Sequence, residues 1–164
     1  EHPIVVNTYP NEHDSIYGAL AGHASLDGIS MQTSGDISVI DGATDSVLTT
    51  IPDAGDGKPL CYNPVHNKVY CGGDDSVVVI DGSADSVIAT VAVGRNPADI
   101  CYNPQDNKIY CANYLSSTVT VFDGATDSVL ATLWPGYGPA RLFYNAENNK
   151  VYCANAGSVE TSIQ

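Results

Sequence analysis

The residues best spaced to do chemistry in this chain are its five cysteines. Four of them form two pairs, Cys61 with Cys71 and Cys101 with Cys111, each bracketing a pair of tyrosines, Tyr62/Tyr70 and Tyr102/Tyr110. In a hairpin whose tyrosines face each other, the cysteines also face each other across the ribbon. Directly opposed strand positions lie close enough for a disulfide. The competing reading is free thiols used as small buried hydrophobes. Metal ligation lacks the C-x-x-C spacing that would support it. Disulfides would place the protein outside a reducing cytosol. Cys153 falls opposite Phe143 in the same scheme, which leaves it free or bridging to another chain.

The second set of chemical groups is acidic. Asp41/Asp45, Asp81/Asp85 and Asp123/Asp127 stand in Asp-Gly-x-x-Asp segments. Clustered carboxylates suit Ca²⁺, but two per segment fall short of its six to eight oxygen ligands. Turn aspartates ordinarily cap local backbone amides. Lys68, Lys108 and Lys150 recur on neighbouring hairpins, where they offset acidic repulsion. His2, His13, His23 and His66 occupy non-equivalent positions. No G-x-S-x-G or H-E-x-x-H segment occurs, and no glycine-rich loop has a phosphate-binding pattern. The reading is therefore of a chain without catalytic residues and without a cofactor.

Composition narrows the partners. Six basic against nineteen acidic residues give a net charge of -13, which repels phosphate backbones and argues against nucleic acid. The hydrophobic runs are too short for the ~20 apolar residues of a membrane helix, so no membrane insertion is expected. Glu1, in the place of an initiator methionine, reads as the start of a processed chain.

These residues are positioned by a repeat. Tyrosines eight residues apart recur as Tyr9/Tyr17, Tyr62/Tyr70, Tyr102/Tyr110 and Tyr144/Tyr152, within CYNPVHNKVYC, CYNPQDNKIYC and FYNAENNKVYC for the last three. Each is followed by a phrase such as TVTVFDGATDSVLATL, and Asp41, Asp81 and Asp123 fall 40 and 42 residues apart. Periods in this range mark units that cannot bury an apolar face alone. In the third unit, Ala98–Tyr102, Lys108–Asn113, Thr118–Asp123 and Ser128–Leu133 read as strands, rich in Val, Ile, Thr and Tyr. The first turn fits a three-residue loop with Asn107 left-handed, repeated at Asn67 and Asn149. Four such strands per unit predict an all-β β-propeller of four-stranded antiparallel blades. The chain reads as one domain, residues 1–164, with units of approximately 1–53, 54–94, 95–136 and an incomplete 137–164.

The quoted phrases resemble the YVTN-family β-propeller repeat, Y-N-P-x-x-N-K-[IV]-Y-V-[TA]-N followed by V-x-V-I-D-[GT], with Cys71, Cys111 and Cys153 in place of the consensus Val. The resemblance covers residues 36 to 160 closely and 3 to 19 weakly. It implies the propeller fold, a secreted, periplasmic or surface location, and no catalytic residues.

The strand count is about 3.75 blades, below the roughly four to eight of a closed propeller. The edges left open would pair with other chains, as a two-copy ring, a fibre or the remainder of a longer propeller. In a propeller the second-to-third and fourth-to-first loops share one face, which collects Arg95, Tyr114, Trp134 and Tyr137. That is the candidate binding face, although Trp134–Pro139 also reads as a stiff connector packing on a neighbouring blade. The expected function is a non-enzymatic extracellular or cell-surface structural and adhesive module, self-associating through open blade edges; a periplasmic location is the alternative. The competing functions are a ligand- or protein-binding propeller and a piece of a propeller enzyme such as a lyase or dehydrogenase.

Overall fold

The computed structural model describes residues 20–23, 32–55 and 59–157. The first tyrosine pair, Tyr9/Tyr17, and His2, His13 and His23 as side chains lie outside that description. Within it the chain is a run of antiparallel sheets. Strands β1 (Leu20–His23), β2 (Gln32–Asp41) and β3 (Ser46–Gly55) form the first. A four-stranded second blade comprises β4 (Leu60–Asn63), β5 (Lys68–Gly72), β6 (Ser76–Asp81) and β7 (Ser86–Ala92). The third repeats it with β8 (Pro97–Asn103), β9 (Lys108–Asn113), β10 (Thr118–Asp123) and β11 (Val129–Leu133). The fourth has two strands, β12 (Pro139–Asn145) and β13 (Lys150–Asn155). The all-β, four-stranded-blade expectation holds, and the described blades do not close into a ring.

Local chemistry sets each turn. Asn67, Asn107 and Asn149 adopt φ of 49°, 52° and 54°, the left-handed conformation that Asn tolerates. The loop is one residue longer than the expected three, because Asn103 pairs with Lys108 and Asn63 with Lys68. Asn103 causes this: its side-chain oxygen accepts hydrogen bonds from the amides of Gln105 (2.9 Å) and Asp106 (3.2 Å), closing a wider turn.

That extra residue overturns the cysteine pairing. Cys61 sits opposite Tyr70, and Cys71 opposite Leu60; likewise Cys101 faces Tyr110 and Cys111 faces Ile100. A one-residue slip moves a side chain to the other side of the sheet, so the two cysteines of each expected bridge lie on opposite faces of their blade. All five cysteines are free thiols. Cys153 faces Leu142, while Phe143 faces Tyr152.

Blades stack face to face. The face of blade two bearing Tyr70, Val77 and Val79 packs on Ile100, Ile109, Cys111 and Phe122 of blade three, with Tyr70 and Phe122 edge to face at 5.6 Å. The other face of blade two, with Cys71, Val78 and Ile80, packs on Ile37, Ile51 and Ala54 of blade one. Each fully buried side chain of this size contributes about 1.5–3 kcal/mol. A bulge recurs between the last two strands of the first three blades, at Val39/Ile40, Val79/Ile80 and Val121/Phe122, where it increases the local twist of the outer strand. Cys111 and Cys153 also donate S–H bonds to Asn113 and Asn155, at 3.3 and 3.4 Å, which accounts for the shared Cys-Ala-Asn.

Two outcomes follow for the thiols. Without reductant, denatured protein should titrate all five, whereas native protein should protect Cys71 and Cys111 from a bulky thiol reagent; fewer than five in the denatured state would restore a disulfide. Burial pushes the Cys61 and Cys111 thiols from 9.0 up to about 12. Folding therefore holds their protons more tightly than the unfolded chain does, and this stabilisation is complete below pH 9 and lost towards pH 12. A Cys61→Ser, Cys111→Ser double variant should show a shallower alkaline loss in denaturant melts.

Candidate functional site

Among the described residues, the polar side chains gather most densely where blade two meets blade three. Asn63 ends β4, and Lys68 and Tyr70 alternate on β5, so the hairpin presents all three at one end of blade two. They take hold of the Asp123–Asp127 turn of blade three. Lys68 Nζ donates to Ala125 O (2.8 Å) and pairs with Asp127 Oδ2 at 2.7 Å. Tyr70 Oη donates to Gly124 O (3.1 Å) and to Asp127 Oδ1 (3.3 Å), and Asn63 Nδ2 donates to Gly124 O (3.3 Å) and Asn107 Oδ1 (3.0 Å). Burial above all raises the Tyr70 phenol above its usual value, which keeps it a donor.

The turn is shaped to be held. Asp123 Oδ1 accepts from the amides of Ala125 and Thr126, both at 2.8 Å, and these bonds hold its carboxyl below the ordinary range. Asp127 takes a left-handed φ of 58° and points its carboxylate at Lys68. Gly124 must be glycine: a Cβ there would come within 2.6 Å of Asn63 Nδ2 and Asn107 Oδ1. The first aspartate thus caps local amides as expected, but the second serves the neighbouring blade. Asp41 and Asp81 cap their own turns in the same way.

Lys68 was expected only to offset general acidic charge, and its specific partner is 59 residues away. The available signal was the joint recurrence of Asn-Lys-x-Tyr and Asp-Gly-x-x-Asp. In blade three the equivalent Asn103 reaches Asn149 at 2.9 Å, but among the described residues the ion-pair partner of Lys108 is Asp106, at 3.8 Å on the surface.

The residues expected on the variable face lie along one ridge of adjacent loops. The Arg95 amide donates to Ser116 Oγ at 2.7 Å, and Tyr114 N donates to Asn96 O at 2.9 Å. Gly138 N donates to Ser117 Oγ at 3.4 Å, and a Cβ at Gly138 would come within 3.0 Å of the Tyr114 ring. Trp134 is 65% exposed and meets Tyr137 edge to face at 5.6 Å. These aromatics pack on each other within their own loop and leave much of their surface to solvent.

No family model matches the chain, and no curated protein sequence matches it. Solved structures with a β-propeller fold do. Hydrazine synthase of Kuenenia stuttgartiensis aligns with a TM-score of 0.66 and 20% identity over 79% of this chain and 39% of that one. AztD from Citrobacter koseri aligns at 0.56 and 21%, over 64% and 30%. A chain of the mitotic checkpoint complex aligns at 0.63 and 10%, over 74% and 40%. This chain thus spans 30 to 40% of their lengths, and at such identities the likeness is one of fold.

The same substitution should report the site's geometry differently in two blades. Lys68→Met, which strands a nearly buried Asp127, should cost about 3–5 kcal/mol in denaturant melts, whereas Lys108→Met at an exposed pair should cost about 0–1 kcal/mol. Equal costs would deny the junction its importance. On the variable face, the emission of Trp134, the only tryptophan, should be quenched by a soluble quencher in native protein nearly as well as in denatured protein. Protection would mean that a neighbouring blade covers it.

Proposed function

We propose that this chain is a non-enzymatic β-propeller repeat module whose role is structural or adhesive, exercised through association of its open blade ends at an extracellular or cell surface. The observation that carries the reading is the state of the last blade. Among the described residues it has two strands where blades two and three have four, and Phe143 and Tyr152 on its outer face are 70% and 53% exposed, whereas Tyr70, the counterpart of Tyr152 in blade two, is 0% exposed. An unpaired strand edge beside exposed aromatics favours pairing with another chain. The acidic surface and the resemblance to YVTN repeats support the location; the free thiols withdraw the support that disulfides would have lent it.

A second reading, a partner-binding propeller, is favoured by the exposed Trp134–Tyr137 pair, since rigid aromatics are enriched at the centres of protein interfaces. The enzymes among proteins of similar fold carry their activities in their own residues, and fold alone transfers none of them.

Light scattering together with electron microscopy of the untreated protein tests the first reading. Rings of two copies or extended polymers are expected, and a monomer at every concentration would refute it. Loss of a partner on Trp134→Ala and Tyr137→Ala with an unchanged melting midpoint would favour the second.

A further inference from the structure

The connection from blade three to blade four carries residues that the repeat does not call for. Trp134 and Tyr137 stand eleven and fourteen residues after the turn aspartate Asp123; at the same distances Asp81 is followed by Ala92 and Arg95, and Asp41 by Pro52 and Gly55. Blade two is thus joined to blade three without an aromatic at either place. Trp134 and Tyr137 are both exposed, and their rings stand perpendicular, at 89° with centroids 5.6 Å apart. Neither the Trp134 indole N–H nor the Tyr137 hydroxyl makes a hydrogen bond among the described residues.

The backbone under these rings is fixed by both neighbouring loops. Gly138 N donates to Ser117 Oγ at 3.4 Å and Asn155 Nδ2 to Pro135 O at 2.9 Å, while Gly157 N donates to Tyr137 O at 3.0 Å and Ala156 N to Gly138 O at 2.7 Å. Gly138 has a left-handed φ of 61°, and a Cβ on it would come within 2.7 Å of Gly157 N, so the loops touch backbone to backbone. Pro139 anchors the end of the connection as a fully buried side chain. The surroundings are also uncharged. Residues 114–118, 132–140 and 155–157 contain no aspartate or glutamate in a chain of net charge -13, and Leu115 and Leu133 among them are exposed.

From these features we propose that the Trp134–Tyr137 platform binds an extended, proline-rich segment of a partner protein, with basic residues flanking the prolines. The ring faces receive proline rings. The free indole N–H and phenol O–H are donors, and they need acceptors. A helical or sheet-forming partner has already used its backbone carbonyls, whereas a polyproline II segment leaves them free and proline has no N–H to compete for them. The rings are held in place before binding, so little ordering entropy is lost on contact. Charge selects the flanks: the platform is neutral, and the acidic remainder of the chain attracts lysine and arginine on either side of it. This deepens the partner-binding reading and rests on it, and it is independent of how the blades assemble.

The test titrates the full chain with a synthetic peptide of about ten prolines flanked by lysines, read by the emission of Trp134, the only tryptophan. A saturable change below about 1 mM peptide is expected, with loss of access to a soluble quencher. The same peptide with glycine and serine in place of proline should leave the emission unchanged. Tyr137→Phe, which keeps the ring and removes the hydroxyl, should weaken binding about three- to tenfold. Trp134→Ala, followed through a label on the peptide, should abolish binding with an unchanged melting midpoint. Glutamate in place of the flanking lysines should weaken binding at low salt, and added salt should narrow the gap. No response to the proline peptide, or a response to a neutral oligosaccharide in its place, would overturn this ligand class; loss of another partner on Trp134→Ala would then leave the partner-binding reading standing. A Trp134→Ala chain that melts earlier would show the rings to serve packing and would overturn both.

Discussion

The rest of the structure depends on a grip between one blade's hairpin and the next blade's turn. A blade of this size is a thin sheet with two apolar faces, and it can bury neither alone. Apolar packing between faces is strong but nondirectional. The Lys68–Asp127 pair, with Tyr70 and Asn63 on the Gly124 carbonyl, fixes where one blade sits on the next, because ion pairs and hydrogen bonds need particular distances and angles. Partial burial makes the pair demanding: a charge with no partner there is costly, so the fit is specified as well as stabilised.

This arrangement explains why the repeated phrases contain what they do. The Asn of Tyr-Asn-Pro does two jobs, closing its own turn through Oδ1 and reaching the next blade's left-handed Asn through Nδ2. The glycine after the turn aspartate answers to crowding by two asparagines rather than to its own backbone angles. Cysteine in the second strand serves as a small buried donor to the Asn two residues on. The motif is thus a record of contacts between units, with few residues reserved for solvent.

The same logic bears on what such a chain can do. Tyr152 in the last blade and Ile40 in the first, both exposed, are counterparts of Tyr70 and Phe122, which are buried against each other between blades two and three. Under the assembly reading, function resides in surfaces that recur, so that assembly and folding draw on the same contacts.

Much of this was legible in the residues themselves. Strands Lys108–Asn113 and Thr118–Asp123 lie where β-rich runs between turn formers put them, and Asn67, Asn107 and Asn149 take the left-handed conformation their position called for. Such features depend on a few contiguous residues, whose turn chemistry and alternation act locally. The hairpin register did not follow as simply. One side-chain acceptor in each hairpin, Asn63 Oδ1 in blade two and Asn103 Oδ1 in blade three, lengthened the loop by a residue, moved each cysteine away from its expected partner, and left free thiols where bridges were in prospect. The junction lay further beyond the sequence, since Lys68 and Asp127 meet only because packing of one blade on another brings a turn 59 residues away to that hairpin. Sequence by itself determined the units, their strands and their turns, because those are short-range; tertiary structure alone decided which faces and which charged groups meet, because those depend on the placement of whole blades.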